Sequence, residues 1–280
     1  MNVNEVFKRI GALSKRALID EVSATPKPGL VDRRNCGSHI DMNIDTFVKS
    51  ADVLEKYYAA FAEYGYKTAE MTEQESLYGA RRIGLDAESA MYRATDGVNT
   101  HKGMIFSGGL VCMATGRLIA KHESVNVDSI CCVVSKITSG ICKNDYSMQK
   151  NETDMTSGER IYKAYGIKGS RGEAESGFVT VREVSYPFFV ECLEKYSLNE
   201  SLVRTLLKLM NVVEDTNIIK RGNTSLGEYV RQKSGSLLYE SMEEIEKFDD
   251  ELIKLNLSPG GSADLLAVTR LLYNIEKEYK

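Results

Sequence analysis

Lys102-Gly-Met-Ile-Phe-Ser-Gly-Gly-Leu-Val-Cys-Met-Ala-Thr-Gly-Arg-Leu-Ile-Ala120 decides the fold. Wound at 3.6 residues per turn, the stretch from Met104 to about Ala120 is apolar nearly all round. A helix of that kind has no face to give to water and belongs at the centre of a helical protein. Its charge-free part, Gly103–Gly116, is 14 residues long, short of the ~20 that a membrane span needs.

Working outward, apolar residues recur at helical spacing on both sides. Val3, Val6, Phe7, Ile10, Leu13, Ala17 and Leu18 form one stripe, ended by Thr25-Pro26-Lys27-Pro28-Gly29, where prolines and glycine stop a helix. Phe47, Ala51, Leu54, Tyr57, Tyr58 and Phe61 form a second, ending near Gly65. Thr72 with Glu75, and Thr156 with Glu159, have capping-box spacing, and Asn126 suits a cap before Ile130, Val133, Val134, Ile137 and Ile141. Further helices are expected over Leu198–Val213, Leu226–Leu255 and Ala263–Glu278, and a long loop over Lys143–Gly158. Period-two alternation is nearly absent, and Phe178-Val-Thr-Val181 is the best, very short, strand candidate. The expected fold is all-α: one multi-helix bundle over residues 1–280, without linker or repeat, its active site built from interhelical loops.

The chain has 280 residues, 42% hydrophobic and 27% charged, with net charge -4. This is globular composition, and the charge balance argues against a nucleic-acid-coating surface. The N-terminal stretch lacks the apolar core of a signal peptide. The six cysteines include no Cys-x-x-Cys, and none of the three histidines lies three or four residues from another. That spacing disfavours zinc, and the Cys131-Cys132 pair reads as packing. A cytoplasmic, reduced protein is expected, with no nucleic-acid or membrane partner; the long helical surface leaves room for a homodimer.

The chemistry-bearing residues lie between the helices. Glu21, Lys27-Pro28-Gly29, Asp32-Arg33, Asn35, His39 and Asp41 join a rigid turn to cations, carboxylates and an imidazole, as a small-molecule site would; a solvated loop would look the same. Asn99-Thr100-His101-Lys102-Gly103 opens the central helix, whose free N–H groups suit an anion, or is an ordinary cap. Arg171-Gly-Glu173-Ala-Glu175 couples a phosphate-gripping fork to carboxylates able to hold Mg²⁺, or is a surface charge run. Asp215-Thr-Asn217 is followed by Lys220 and Arg221. Ser258-Pro-Gly260-Gly261-Ser262-Ala-Asp264 precedes another apolar helix and could wrap a phosphate, or merely turn the chain. Neither a P-loop nor a Rossmann glycine pattern is present, so these residues alone reach only as far as a helical nucleotide-phosphate enzyme.

The same motifs, in the same order from about Glu21 to Ala267, resemble the triphosphoribosyl-dephospho-coenzyme A synthase family. The chain departs from the family where Lys220 precedes Arg221 and Asn223 follows Gly222, since a His before the Arg and a Gly-Gly after it are frequent there. The resemblance implies a pentosyltransferase for ATP and 3′-dephospho-coenzyme A. The acceptor's ribose 2′-hydroxyl would displace adenine from C1′ of ATP, making the precursor of the prosthetic group of citrate lyase or malonate decarboxylase carrier proteins. A separate carrier-protein transferase would act downstream.

Displacement at an anomeric carbon is oxocarbenium-like and needs a base for the hydroxyl and an acid for adenine. On charge logic, Asp41 is the expected base and His39 or His101 the acid or a ribose contact. Lys27, Lys102 and Arg171 with Mg²⁺ would neutralise the triphosphate, and Glu173, Glu175 and Asp264 would hold the metal. Pro28, Gly29, Asp32, Arg33, Asn35, Asn99, Thr100, Gly103, Asp215, Asn217, Arg221, Ser258, Gly260, Gly261 and Ser262 are expected to contact substrate. The rival readings are a Mg²⁺-dependent phosphotransferase, which would release ADP or AMP instead of adenine, and a non-catalytic nucleotide-binding protein.

Overall fold

The structure, a computed structural model, describes residues 2–146, 153 and 155–280. Its helices are α1 (Val3–Ser23), α2 (Ile44–Lys67), α3 (Glu73–Ala94), α4 (Lys102–Ala120), α5 (Val127–Ile137), α6 (Ile141–Tyr146), α7 (Ser157–Tyr165), α8 (Gly169–Glu175), α9 (Tyr186–Lys195), α10 (Leu198–Val212), α11 (Thr216–Arg221), α12 (Thr224–Ser236), α13 (Met242–Lys254) and α14 (Gly260–Tyr279), with a π-helical turn over Val181–Ser185. No strand occurs among the described residues, so the all-α expectation holds.

The apolar stretch takes the predicted place. Every residue of α4 from Ser107 to Leu118 is buried. α2 lies along it, α1 lies on α2, α14 closes against α1 and α4, and α3 and α5 pack on α4. The glycines within these helices explain how close α2 comes. A Cβ on Gly116 would stand 2.0 Å from the Ala62 carbonyl oxygen, and one on Gly65 would stand 2.0 Å from that of Met113. α4 is also the one helix among the described residues long and apolar enough to cross a membrane, and it is spent on the core. Arg117, near its end, turns inward and donates to the carbonyls of Thr68, Ala69 and Met71 (2.7, 3.1 and 2.8 Å). It thereby pairs buried carbonyls of the turn that follows α2.

The caps at Asn126 and Thr156 form as expected. At Thr72 the hydroxyl accepts from Glu75 N–H and donates to the Glu75 carboxylate. Two expectations are corrected. Phe178–Val181 is not a strand: Phe178 has φ 53°, Thr180 is α-helical and Val181 opens the π turn. Phe178 and Val181 are both buried, so tertiary packing overrides β propensity. Leu226–Leu255 is not one helix: it breaks between α12 and α13, where Ser241 caps the second piece. Arg204 of α10 takes carbonyls exposed by the break, donating to Leu238 and Glu240 (2.5 and 3.2 Å). Of the expected loop Lys143–Gly158, α6 and α7 claim the ends, while residues 147–152 and 154 lie outside those described. All six cysteines are free. Of the pair expected to pack, Cys131 is buried, and burial pushes its thiol up to about 12, whereas Cys132 is exposed.

Candidate active site

A cavity of about 1210 Å³ opens where the N-termini of α4 and α14 meet. The loop after α1 gives Lys27, Leu30 and Val31 to one wall, and its shape is locked from within. Asp32 accepts from the N–H groups of Lys27 (2.9 Å), Arg34 (2.7 Å) and Asn35 (3.1 Å). Asp249 on α13, fully buried, accepts from Gly29 N–H (2.8 Å), Asn35 Nδ2 (2.7 Å) and Arg34 Nη1 (2.7 Å). Gly29 has φ +70°, and a Cβ there would meet the Leu257 carbonyl at 2.3 Å. Only glycine serves at that crossing.

Locking the loop delivers Lys27 into the interior. Its Nζ donates to Glu21 Oε1 at 2.5 Å, with both side chains buried. Buried charges persist when paired, and this pair lines the cavity. Beside it, His101 Nδ1 lies 2.7 Å from Ser50 Oγ, which also accepts from Thr100 Oγ1 (2.8 Å). Burial, with Lys27 close by, lowers the His101 pKa to about 3, so the ring is neutral. Its Nε2 is buried and without a partner.

Asp264, just past the first turn of α14, faces the cavity and makes no hydrogen bond or ion pair among the described residues. Surrounding protein, then the like charges of Glu21 and Asp215, push its carboxyl up to about 8. Asp264 is therefore protonated at neutral pH, as catalytic carboxylic acids are.

The other polar groups divide into braces and free groups. Asp215 Oδ2 accepts from Ser262 N–H (2.7 Å) and Oγ (3.0 Å), and Oδ1 accepts from Asn217 N–H (2.9 Å). His39 Nε2 is 2.9 Å from Ser258 Oγ, and Nδ1 is 3.2 Å from Arg221 Nη2. A guanidinium can only donate, so the ring nitrogen nearest Arg221, Nδ1, faces a donor. Burial and Arg221 lower the His39 pKa against the opposing pull of Asp41, 3.9 Å away. Lys102 is held by Glu88 (2.5 Å) and Arg171 by Asp145 (2.8 Å). Lys220 lines the cavity with no ion partner among the described residues.

Residues 7–280 match the family model described as ATP:dephospho-CoA triphosphoribosyl transferase. The chain belongs to this family. It is 41% identical over 278 residues to the 2-(5''-triphosphoribosyl)-3'-dephosphocoenzyme-A synthase of Escherichia fergusonii, covering 96% of this chain and 92% of that protein. It is also 41% identical over 266 residues to the protein of the same name from Klebsiella pneumoniae, covering 92% and 88%. A solved structure from Archaeoglobus fulgidus superposes with a TM-score of 0.47 and 15% identity, over 80% of this chain and 99% of that one. That likeness adds nothing to the fold argument. The protein is thus a transferase of this family.

In this transferase the cavity gathers Lys27, His39, Asp41, Asn99, Thr100, His101, Lys102, Gly103, Arg171, Glu173, Asp215, Asn217, Arg221, Ser258, Gly260, Gly261 and Asp264. Pro28, Gly29, Asp32, Arg33, Asn35, Glu175 and Ser262 are not on its wall. Pro28 and Gly29 shape the turn, Asp32 and Asn35 brace it, and Arg33 faces solvent. At the start of α14 the N–H and hydroxyl of Ser262 are held by the Asp215 carboxylate, while Ser258, Gly260 and Gly261 reach the cavity. The expected Mg²⁺ trio does not assemble, because no three His, Cys, Asp or Glu side chains among the described residues converge on a metal position. Glu173 Oε1 accepts from Thr180 Oγ1 (2.6 Å) and burial raises its pKa, while Glu175 lies 3.6 Å from Lys168. Ser50 and Asp249, both central here, are helix residues with no sequence signal to separate them from other polar helix positions.

Proposed function

We propose that ATP and 3′-dephospho-coenzyme A occupy this cavity together, and that the acceptor's ribose 2′-hydroxyl attacks C1′ of ATP. The O2′–C1′ bond forms as C1′–N9 breaks, and adenine leaves with a proton while the triphosphate stays on the transferred ribosyl group. Asp264 supplies that proton, and Asp41, at the cavity mouth and 57% exposed, takes the one from the hydroxyl. General acid–base help of this kind is worth about 10²–10⁴-fold. The observation that carries the reading is Asp264 itself, an unpartnered carboxyl held at the junction of two helix N-termini in a cation-lined cavity.

Lys27, Lys102, Arg171, Lys220 and Arg221 supply positive charge for the phosphates of both substrates. Mg²⁺ enters as part of the ATP substrate, carried by phosphate oxygens, because the carboxylates are not arranged as a cage for it. The chain works as one unit in the cytoplasm, as a monomer or homodimer. Its product is the prosthetic-group precursor for citrate lyase or malonate decarboxylase carrier proteins, attached by a separate transferase.

Incubation with ATP, Mg²⁺ and 3′-dephospho-coenzyme A should release free adenine and give an acceptor heavier by one triphosphoribosyl unit. ADP or AMP in place of adenine would assign a phosphotransferase, and binding without product a non-catalytic protein.

A further inference from the structure

We infer that His101 acts as a neutral Nε2–H hydrogen-bond donor to the adenosine part of bound ATP, and that Ser50 and Thr100 are the positioning residues that fix this tautomer. The inference rests on the proposed use of the cavity by ATP.

The argument begins with the hydroxyl chain. Thr100 Oγ1 donates to Ser50 Oγ at 2.8 Å, so the Ser50 proton is left for another acceptor. His101 Nδ1, at 2.7 Å, is the acceptor in reach, and Ser50 has no further partner among the described residues. An imidazole that accepts at Nδ1 and is neutral carries its proton on Nε2.

The groups facing the ring keep it neutral. Lys27 stands on one side as a cation paired with Glu21, and Phe47 of α2 meets the ring edge-on at 5.0 Å between centroids. Met91 Sδ of α3 accepts the His101 backbone N–H at 3.3 Å. Ser50 and Thr100 add hydroxyls and no charge.

The result is a buried N–H with nothing to bond: His101 is 4% exposed, it lines the cavity, and Nε2 has no partner. A buried donor left unsatisfied costs stability, and a ligand acceptor removes that cost. A neutral imidazole N–H polarises its acceptor without surrendering the proton. It therefore complements Asp264, which gives its proton up. An adenine ring nitrogen or a ribose oxygen is the matching acceptor.

The chain has three histidines, so ¹⁵N-histidine NMR of the full-length protein resolves each ring. One ring, removed from the spectrum in a His101→Gln variant, should stay neutral with Nε2 protonated from pH 5 to 8, and ATP alone should shift its Nε2 signal. Ser50→Ala should mix its tautomers and lower kcat roughly tenfold, the effect of one lost hydrogen bond, with KM for ATP little changed. Ser50→Thr should restore both readouts. Protonation at Nδ1, titration of the ring in that pH range, or an Nε2 signal indifferent to ATP overturns the inference. Should Ser50→Ala fail to fold, the wild-type spectra decide alone. Wild type that releases no adenine, yet shows the Nε2 shift, refutes the proposed reaction and leaves the donor role standing.

Discussion

The carboxylate of Asp264 lies against the backbone of Gly103: a Cβ added to Gly103 would stand 1.9 Å from Asp264 Oδ2. The acid on α14 is thus positioned by the absence of a side chain at the start of α4. Two helices brought together by the core set the place of the carboxyl proposed as the acid, and one methyl group is enough to move it.

Gly103→Ala should therefore lower kcat by about 10²-fold, the scale of an ångström-sized misplacement of a catalytic group. The buried part of α4 begins beyond this point, so thermal unfolding should change by only a few degrees. Steady-state kinetics beside a melting curve checks both; unchanged kcat would show that Asp264 does not need its present position.

Asp264→Asn should abolish most activity and alter the pH dependence of stability. The folded-state pKa of Asp264, about 8, lies above the ordinary carboxyl value of 3.8. Between those pH values the folded chain keeps a proton that the unfolded chain has lost, so stability falls as pH rises, by up to about 1.4 kcal/mol per pH unit from this one group. Urea unfolding from pH 5 to 8 should show that slope in the wild type and a smaller one in the variant. In the wild type kcat/KM should drop as pH rises past about 8, where the acid loses its proton.

Lys27→Met leaves Glu21 charged and unpaired in the interior, and should destabilise the fold by about 3–5 kcal/mol. Adding Glu21→Gln should recover part of the stability and none of the activity, measured by urea unfolding and adenine release. A single variant as stable as wild type would show that the pair contributes nothing to the fold.

Asp215→Ala strips the partner from the α14 N–H groups and should cost about 1–2 kcal/mol, the range of a lost helix cap. Ser262→Ala should cost less and leave KM for ATP unchanged, because Ser262 is off the cavity wall. A raised KM there would show that Ser262 contacts the substrate despite its bonds to Asp215.

Asp41→Asn, at an exposed site, should leave the melting temperature within a degree or so of wild type, since isolated surface changes cost little. Loss of the base should lower kcat about 10²-fold or more. Near-normal turnover with intact ATP binding would remove Asp41 from the mechanism.

Much of this architecture was legible in the sequence because its causes are local. An all-round apolar run must be buried, Asn126 and Thr156 cap helices by contacts within three residues, and Thr25-Pro26 stops α1 through backbone sterics. The motifs also marked loops that converge, since Lys27, His101, Lys102 and Asp264 all reach one cavity. The break between α12 and α13 was harder to read, because the carbonyls it frees are answered by Arg204 from a different helix.

The division of labour within those loops needed the tertiary structure. Asp215, Asp249 and Asp264 are alike as letters, yet Asp215 meets the N–H of Ser262, 47 residues on, and Asp249 that of Gly29, 220 residues back. Asp264 meets no donor and stays protonated. His101 likewise is neutral because distant parts of the chain bury it beside Lys27. A carboxyl or imidazole is neutral or charged, brace or reactant, according to the dipoles and charges around it. Those neighbours come from distant parts of the chain, so the sequence by itself determined which residues stand at the helix ends, and only the packing of α1, α2, α4 and α14 decided which of them remain available for chemistry.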